Sequence, residues 1–342
     1  MRAVVIREHG GPEVLRVETV PDPVPGPGEV VVRVRACALN HLDLWVRRGL
    51  PGAPFHLPAT TGADVSGEVH AVGAGVDDLE AGLPVMVMPG VSCGHCPQCV
   101  AGQDQLCPRY QLLGESRPGG LAELVCVPRA NIVRKPDRLD HPSAAALSLT
   151  FLTAWHMLVA RAQLRGGETV LVQAGGSGVG TAAIQIARFL GATVITTAGS
   201  DDKLDAARAL GADHAVNYRT EDFVKRVKAL TGGRGVDVVF EHVGGETFEK
   251  SLRCLAWAGR LVTCGATTGV DARVNLRHIF FKSQSILGST MGSKAEYHQL
   301  VALYERGLFE AVVDKVFPLD AIAEAEELLE SRQVFGKIVV EP

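Results

Sequence analysis

The chain has 342 residues, of which 46% are hydrophobic and 21% charged, and its formal net charge is −4 at pH 7. This length favours two globular domains over one compact core. The slightly acidic balance argues against nucleic acid or an anionic membrane as the main partner. No apolar run in the sequence approaches the roughly 18 residues of a membrane span, so a soluble protein is expected.

The amino terminus, MRAVVIREHGG, has no continuous apolar segment followed by a small-residue cleavage site. A secretory signal is therefore not expected, and a cytoplasmic location is. In a reducing cytoplasm the eight cysteines of the chain are not expected to form disulfides. A cluster of four among them favours a metal site instead.

Valine-rich segments in the first third of the chain predict β-strands. They are EVVVRVRACAL, where Arg33 and Arg35 lie on alternate positions, and VSGEVHAVGAG, which runs into a glycine turn. Proline and glycine punctuate the connections between them. We predict a β-rich domain over residues 1–130.

From about Asn131 the pattern changes to helices of period 3.6 that alternate with short apolar strands. ETVLVQ predicts a buried strand, and TAAIQIARFLGA predicts a helix that ends at Gly191. The alternation continues through ATVITTA, SDDKLDAARALGA, VDVVFEHV and GRLVTCGA. Strands separated by helices of this length predict βαβ units, and hence an α/β fold with a doubly wound parallel sheet over residues 131–275.

The last segment, residues 276–342, has three predicted parts. ILGSTMG predicts an edge strand that pairs with its copy in a second subunit and so forms a homodimer or homotetramer. A helix at AIAEAEELLESR and a strand at GKIVVEP are assigned back to the first domain. A monomer mass in native light scattering would refute the oligomer.

A glycine-rich turn, AGGSGVG, stands between the first strand and the first helix of the second domain. Glycines here allow a tight turn and a close approach to a pyrophosphate, which the free N–H groups of the helix N-terminus then bind. This order of strand, turn and helix predicts a dinucleotide site, although Ser177 replaces the middle glycine of the usual pattern. The predicted cofactor-binding residues of the turn are Gly175, Gly176, Ser177, Gly178, Val179 and Gly180.

The end of the next strand distinguishes the two dinucleotides, because NAD binders usually carry an acid there for the ribose 2′-hydroxyl. Here the strand ends at Ala198 and Gly199, and Asp201 and Asp202 come later, as first-turn helix acids behind an N-cap at Ser200. A neutral hollow favours NADP(H) over NAD(H). The side chains predicted for this region are Ser200, Lys203 and Tyr218 or Arg219, with a solvated helix charge as the alternative for Lys203.

Four cysteines follow the spacing CxxCxxCx7C within residues 93–107. Four thiolates match the closed, tetrahedral coordination of a structural zinc ion. Because the four sulfurs fill every coordination position, His95 is expected in solvent, and substrate has no open position at the metal. The predicted ligands are Cys93, Cys96, Cys99 and Cys107.

The cysteine loop followed by the glycine turn resembles the medium-chain dehydrogenase/reductase superfamily over essentially the whole chain. The resemblance implies a GroES-like domain and a Rossmann domain. Members with a catalytic zinc place a cysteine, a His-Glu pair and often another cysteine where this chain has Asn40, Ala63 with Asp64, and Leu149. Asparagine and aspartate alone make a poor zinc site, and we expect Asp64 to be a buried, hydrogen-bonded carboxylate. The chain is therefore most similar to the quinone oxidoreductase-like branch, which works without a catalytic metal, except that it keeps the cysteine loop.

The resemblance also implies residues around the nicotinamide. Asn40, in the position of the lost cysteine, is the first candidate hydrogen-bond donor, with a turn or capping amide as the alternative. Asp43 is either a second candidate or a carboxylate that holds neighbouring backbone, and His41 either relays a proton or packs. Thr153 is the fourth candidate. In the second domain the implied lining residues are Val243, Gly244, Gly265 and Ala266.

Three functions remain open on the sequence. The leading hypothesis is an NADPH-dependent reductase of quinones or α,β-unsaturated carbonyl compounds, with one structural zinc and a small-molecule substrate. The first rival is a zinc alcohol dehydrogenase whose metal site is improvised from His41, Asp64 and a third group. The second rival is a cofactor-binding protein that has lost catalysis. The substrate itself is not predicted, because pocket walls come from loops such as PGAPFHLP and QLLGESRPGG.

Overall fold

The computed structural model describes residues 1–50, 52 and 55–342; residues 51, 53 and 54, in the loop PGAPFHLP, lie outside the described residues. The chain forms two compact units, as its length predicts. Unit 1 comprises Met1–Leu149 and Ser293–Pro342, and unit 2 comprises Thr150–Gly292.

The β-strands are, in chain order, β1 (Arg2–Val5), β2 (Arg16–Thr19), β3 (Glu29–Ala38), β4 (Asp64–Val72), β5 (Pro84–Val87), β6 (Gly90–Val91), β7 (Gln111–Leu112), β8 (Leu124–Pro128), β9 (Ile132–Arg134), β10 (Thr169–Val172), β11 (Thr193–Ala198), β12 (His214–Asn217), β13 (Val236–Glu241), β14 (Leu255–Thr263), β15 (Ser285–Gly288), β16 (Val313–Pro318) and β17 (Lys337–Glu341).

The α-helices are α1 (His41–Arg48), α2 (Pro97–Val100), α3 (His141–Ala146), α4 (Ser148–Trp155), α5 (Gly178–Phe189), α6 (Asp201–Ala209), α7 (Phe223–Leu230), α8 (Phe248–Cys254), α9 (Leu276–Phe281), α10 (Lys294–Glu305) and α11 (Ile322–Glu330).

Unit 1 is organised around a seven-stranded sheet in the order β16-β17-β3-β4-β5-β9, with β8 also paired to β3. Along β3 the arginines Arg33 and Arg35 are exposed while Val32 and Val34 are buried, which is the alternation that the sequence predicts for a half-buried strand. The C-terminal strand β17 pairs antiparallel with β3. The C-terminal strand therefore belongs to unit 1.

Unit 2 is a parallel sheet in the order β12-β11-β10-β13-β14-β15. The direction of winding reverses between β10 and β13, and in open α/β sheets ligands bind at such a switch point, beyond the carboxyl ends of the strands. The loop that follows β10 is the glycine turn. The predicted doubly wound sheet therefore places this turn where a dinucleotide would bind.

The unit boundaries differ from the predicted ones at 130/131 and 275/276. Strand β9 pairs with β5, and α3 packs two alanines against β3 and β17, so unit 1 extends to residue 149. At the other end β15 pairs with β14 as the edge of the parallel sheet, so unit 2 extends to residue 292. The change of sequence pattern near Asn131 therefore lies before the end of the first segment of unit 1, at Leu149.

One helical stretch, His141–Arg161, is long and apolar enough to cross a membrane by length and composition. Its most apolar window is 78% buried inside the protein, which is the behaviour of a core helix. Trp155 and His156 lie in this stretch and are buried, as packing residues would be.

Candidate functional site

The glycine turn between β10 and α5 depends on glycine at two positions. A Cβ on Gly175 would lie 2.1 Å from the Thr196 hydroxyl oxygen, and one on Gly180 would lie 2.4 Å from the carbonyl oxygen of Ala174. Ser177 caps the helix, since its Oγ accepts a hydrogen bond of 3.0 Å from the Gly180 N–H. This cap starts α5 at Gly178, three residues before the predicted segment, and leaves the turn and helix N-terminus shaped for a phosphate.

His242, at the end of β13, was not predicted from the sequence and lies against this turn. Its Nε2 is 3.1 Å from the carbonyl oxygen of Gln173 and 3.3 Å from the Ser177 Oγ. A carbonyl only accepts, so Nε2 carries the proton and the serine oxygen is an acceptor in both of its contacts. The hydroxyl hydrogen of Ser177 is thereby left to donate to a ligand. Burial lowers the pKa of His242, which favours the neutral ring.

The end of β11, where a 2′-phosphate is predicted to lie, is covered by two exposed side chains. A Cβ on Gly199 would lie 2.7 Å from the Tyr218 hydroxyl and 3.1 Å from the Arg219 Nε, so both side chains cover the place where an acid would stand. Tyr218 and Arg219 are exposed. Asp201 does not take the place of the acid that binds a ribose 2′-hydroxyl, because its carboxylate accepts a hydrogen bond from Asn217.

The remaining two residues of this region occupy the first turn of α6. Ser200 stands at the N-cap as expected but makes no capping hydrogen bond within the described chain. Lys203 is half-buried and lies one turn from Gly199. Both remain predicted cofactor contacts.

The four predicted lining residues of unit 2 lie together. A Cβ on Gly244 would be 2.8 Å from the Ala266 Cα, and Gly265 approaches the backbone of His242. The turn at Val243 and Gly244 is held by Glu241, a buried carboxylate that accepts both backbone N–H groups, at 2.7 and 3.2 Å. Sequence reasoning missed Glu241; a carboxylate at the end of a buried strand is the signal that could have found it.

In unit 1, the first turn of α1 carries three of the four catalytic candidates. Asn40 is the N-cap residue, His41 begins the helix, and both are half-buried. Asp43 is fully buried, and its two carboxylate oxygens accept the backbone N–H groups of Asn40, at 2.7 Å, and Gly62, at 2.8 Å. Desolvation raises the pKa of Asp43 to about 6. This geometry favours the alternative in which Asp43 holds neighbouring backbone.

Asp64 lies beside Asn40 and is the buried, hydrogen-bonded carboxylate that the sequence suggests. It accepts from the Leu149 N–H at 2.7 Å, from the Asn40 Nδ2 at 2.9 Å and from the Lys337 Nζ at 3.0 Å. Lys337, which the sequence analysis missed, also contacts the Asn40 Oδ1 at 2.6 Å. Its position could not be read from the chain, because 297 residues separate it from Asn40.

This cluster does not fit a catalytic zinc ion. The resemblance places Asn40, Ala63 with Asp64, and Leu149 at the ligand positions of the metal-dependent members, and Leu149 contributes only a backbone N–H. The space between Asn40 and Asp64 is bridged by the Lys337 ammonium. A divalent cation placed between Asn40 and Asp64 would be strongly repelled by the buried ammonium of Lys337.

Thr153 is the fourth catalytic candidate and belongs to α4, within unit 2. Its side chain is buried, and its hydroxyl oxygen has no hydrogen-bond partner among residues 1–50, 52 and 55–342. An unpaired buried hydroxyl is unfavourable unless a ligand or water satisfies it.

The position of α1 is fixed by a buried ion pair at its other end. Arg47 is fully buried, and its Nη1 donates to the Glu326 Oε2 of α11 at 2.7 Å. Its Nη2 donates to Glu330. The neighbouring Arg48 also pairs with Glu330, but its side chain is 52% exposed. The helix that presents Asn40 is therefore anchored to α11.

The four cysteines of residues 93–107 form a compact cluster. Their sulfurs all lie within 4.8 Å of one another, and the Cys96–Cys99 and Cys93–Cys99 separations are 3.5 and 3.9 Å. Zinc–sulfur bonds of about 2.3 Å in a tetrahedron require sulfurs roughly 3.8 Å apart, so the cluster fits a zinc ion. A hydrogen bond from the backbone N–H of His95 lowers the pKa of Cys93 to about 5, which favours the thiolate.

The surroundings of the cluster agree with a structural role. His95 is exposed, and its ring contacts the Cys93 carbonyl oxygen instead of adding a fifth ligand. Asp104, inside the loop, accepts from the backbone N–H and the Nζ of Lys294, the first residue of α10, at 2.9 and 3.2 Å. The loop is therefore tied to α10 of unit 1 through Asp104.

Comparison with known proteins gives two family matches, a zinc-binding dehydrogenase domain at residues 178–306 and an alcohol dehydrogenase GroES-like domain at residues 26–137. The quinone oxidoreductase of Pseudomonas aeruginosa is 35% identical and is covered over 97% of its length by 98% of this chain. The 2-haloacrylate reductase of a Burkholderia species is 33% identical, with 98% of that protein and 99% of this chain aligned. The crystal structure of an NAD-dependent alcohol dehydrogenase is 51% identical, with a TM-score of 0.97 over the full length of both chains. The predicted GroES-like and Rossmann architecture is confirmed.

Proposed function

Because the chain belongs to the medium-chain dehydrogenase/reductase superfamily, we propose that this oxidoreductase transfers hydride from NADPH to quinones or α,β-unsaturated carbonyl compounds without a catalytic metal. The observation that carries the proposal is the Lys337 ammonium, which bridges Asn40 and Asp64 in the place of a metal. The similarity to a quinone oxidoreductase and to a 2-haloacrylate reductase supports the same substrate classes.

A set of side chains that does not fit a metal ion favours substrates whose product anion needs no Lewis acid. Hydride addition to a simple ketone produces an alkoxide about as basic as hydroxide, so a metal is valuable there. Addition to a quinone or to a conjugated alkene produces a phenolate or an enolate, and a phenol has a pKa of roughly 10. Hydrogen bonds are sufficient to stabilise such an anion.

Each unit contributes its own groups to the proposed reaction. When bound, the reduced nicotinamide supplies the hydride. In unit 2 the glycine turn and the Ser177 hydroxyl would hold the pyrophosphate, and Val243, Gly265 and Ala266 would bind the carboxamide through their backbone. In unit 1 the Asn40 amide donates to the acceptor oxygen, and His41 relays the proton that neutralises it. Thr153 stays a predicted donor from unit 2.

The reaction class is tested by supplying two kinds of substrate. We expect NADPH oxidation with 1,4-benzoquinone or an alkyl vinyl ketone, unchanged after prolonged treatment with EDTA. Oxidation of primary or secondary alcohols with NAD(P)+, lost on chelation, would instead support the zinc alcohol dehydrogenase alternative, which the similarity to an NAD-dependent alcohol dehydrogenase favours. Tight NADPH binding without turnover of any acceptor would support the third hypothesis, a cofactor-binding protein that has lost catalysis.

For the cofactor, we propose NADP(H), supported by the Tyr218 and Arg219 side chains over Gly199. Replacement of Arg219 by alanine is expected to weaken NADPH binding roughly 10- to 100-fold, the value of a hydrogen bond to a charged group, while NADH binding is unchanged. Nucleotide fluorescence titration measures both constants. Arg226→Ala, on an exposed face of α7, is the control. Equal loss of affinity for both dinucleotides would contradict the 2′-phosphate role.

We also propose a homodimer, or a homotetramer built from it, in a cytoplasmic enzyme with one structural zinc per chain. Strand β15 is an edge of the parallel sheet, and large apolar side chains are exposed in β14 and α9, the two elements that precede it in the chain. Trp257 is 64% exposed, Phe280 71% and Phe281 62%, an arrangement that a monomer in water would avoid. Native light scattering is expected to give at least twice the chain mass of 36.3 kDa. The monomer mass would overturn the assembly.

A further inference from the structure

Lys337 is a buried lysine whose amino group meets only acceptors. It begins β17 and is 5% exposed. Its Nζ lies 2.5 Å from the Leu39 carbonyl oxygen, 2.6 Å from the Asn40 Oδ1 and 3.0 Å from the Asp64 Oδ2. An ammonium group has three N–H donors and no acceptor. Three donors facing three acceptors is the geometry of a charged, fully hydrogen-bonded lysine.

These contacts determine which way the amide of Asn40 points. Its oxygen must face Lys337, which can only donate, and its nitrogen must face Asp64, which as a carboxylate can only accept. The reversed amide would set its NH2 group against an ammonium and its oxygen against a carboxylate. Lysine and aspartate together therefore select one of the two amide orientations.

In the selected orientation, one amide N–H of Asn40 makes only a long contact within the described part of the protein. The first N–H donates to Asp64 at 2.9 Å, and the second makes a 3.4 Å contact with the carbonyl oxygen of Ala38. That distance lies beyond the usual range of an N–H···O bond. Since Asn40 is half-buried, this second N–H remains available to an oxygen of a bound molecule.

We propose that Lys337 is a positioning residue for hydride transfer: its ammonium holds the Asn40 amide with its nitrogen toward the acceptor oxygen and places a fixed positive charge behind it. The inference rests on the proposed function and names a residue within the same site. A charge already in position stabilises a developing oxyanion without reorganisation during the reaction. The buried Asp64 carboxylate keeps this charge in place.

A second buried lysine provides a control that distinguishes the proposed positioning role from the general effect of removing a buried lysine. Lys135, also in unit 1, is 8% exposed, and its Nζ donates to the carbonyl oxygens of Pro136 and Leu139. None of its hydrogen bonds within the described chain reaches a catalytic candidate. Lys135→Met is therefore the matched control for Lys337→Met.

The test measures kcat with 1,4-benzoquinone, the Kd of NADPH and the thermal unfolding midpoint for four proteins: the wild type, Lys337→Met, Lys135→Met and the double variant Asp64→Asn/Lys337→Met. The double variant removes both charges, so it is expected to recover the unfolding midpoint lost in Lys337→Met, whose Asp64 is buried without its cation. If Lys337→Met does not fold, the double variant still provides a folded protein without the lysine, in which kcat can be measured.

We expect kcat to fall on the order of 100-fold in Lys337→Met, to stay that low in the double variant, and to change less than about twofold in Lys135→Met, with the Kd of NADPH unchanged throughout. Recovery of kcat together with stability in the double variant would reduce Lys337 to a structural ion pair and overturn the proposal, as would a wild-type kcat in Lys337→Met. A wild type inactive with every quinone and enone would instead refute the proposed function.

Discussion

Replacement of Arg47 by methionine is expected to lower the free energy of unfolding by roughly 3 kcal/mol, the lower end of the range for breaking a buried ion pair. Arg47 is fully buried and pairs with Glu326, which is buried as well. Methionine fills much of the volume but leaves the carboxyl without its cation. Burial raises the pKa of Glu326, so the carboxyl can take up a proton once its cation is lost, which limits the loss of stability. Urea denaturation followed by circular dichroism measures it.

The adjacent arginine provides a control with the same chemistry. Arg48 shares the partner Glu330, but its side chain is 52% exposed and that of Glu330 is 23% exposed. Exposed ion pairs contribute about 0–1 kcal/mol, so Arg48→Met is expected to change the free energy of unfolding by no more than this. Equal losses in the two variants would show that burial of the pair does not anchor α1.

Local parts of the site could be predicted from the sequence, because their residues are neighbours in the chain. The glycine turn has its strand before it and its helix after it, and the cysteine spacing lies within one loop. In both cases the constraint on residue type is also local: a Cβ at Gly180 would collide with the carbonyl oxygen of Ala174, and four sulfurs of one loop lie within 4.8 Å of one another.

The residues that complete the site could not be found in this way. Lys337 reaches Asn40 only because β17 pairs antiparallel with β3, and His242 reaches Ser177 only because β13 lies beside β10 in the sheet. Neither pairing has a signal in residue type or spacing. A buried lysine in a strand of valine and isoleucine is nevertheless unfavourable without partners, and this was the one hint in the sequence.

The compact units end at other residues than the predicted domains for a related reason. The helix His141–Arg161 is apolar along its length and shows little of the amphipathic period that marks a surface helix. Periodicity indicates where helices begin to alternate with strands, but the unit to which a helix belongs is set by what it packs against. Here α3 packs its alanines on β3 and β17.

Replacement of Cys99 by serine is expected to abolish zinc binding and to cause the largest loss of stability among single substitutions in the cluster loop. Cys99 lies within 3.5 Å of the Cys96 sulfur and 3.9 Å of the Cys93 sulfur, so removing it opens the tetrahedron. The free energy of zinc binding contributes to folding, and it reaches about 10–16 kcal/mol in isolated zinc-finger peptides. In a loop already tied to α10 through Asp104 the effect is smaller, and a fall of at least about 5 °C in the unfolding midpoint is expected.

Elemental analysis of protein purified without added metal measures the first part of this expectation, and calorimetry the second. The wild type should hold one zinc ion per chain through mild chelation, and Cys99→Ser none. Cys126→Ser is the control, because Cys126 is a half-buried cysteine of unit 1 that contacts Glu29 and lies outside the cluster. Since four thiolates leave no open coordination position, the NADPH affinity of Cys99→Ser should equal that of the wild type below its unfolding temperature. A second zinc ion in the wild type, lost together with alcohol oxidation, would mean that a metal displaces Lys337 at Asp64 and that the hydride acceptor is bound by a Lewis acid after all.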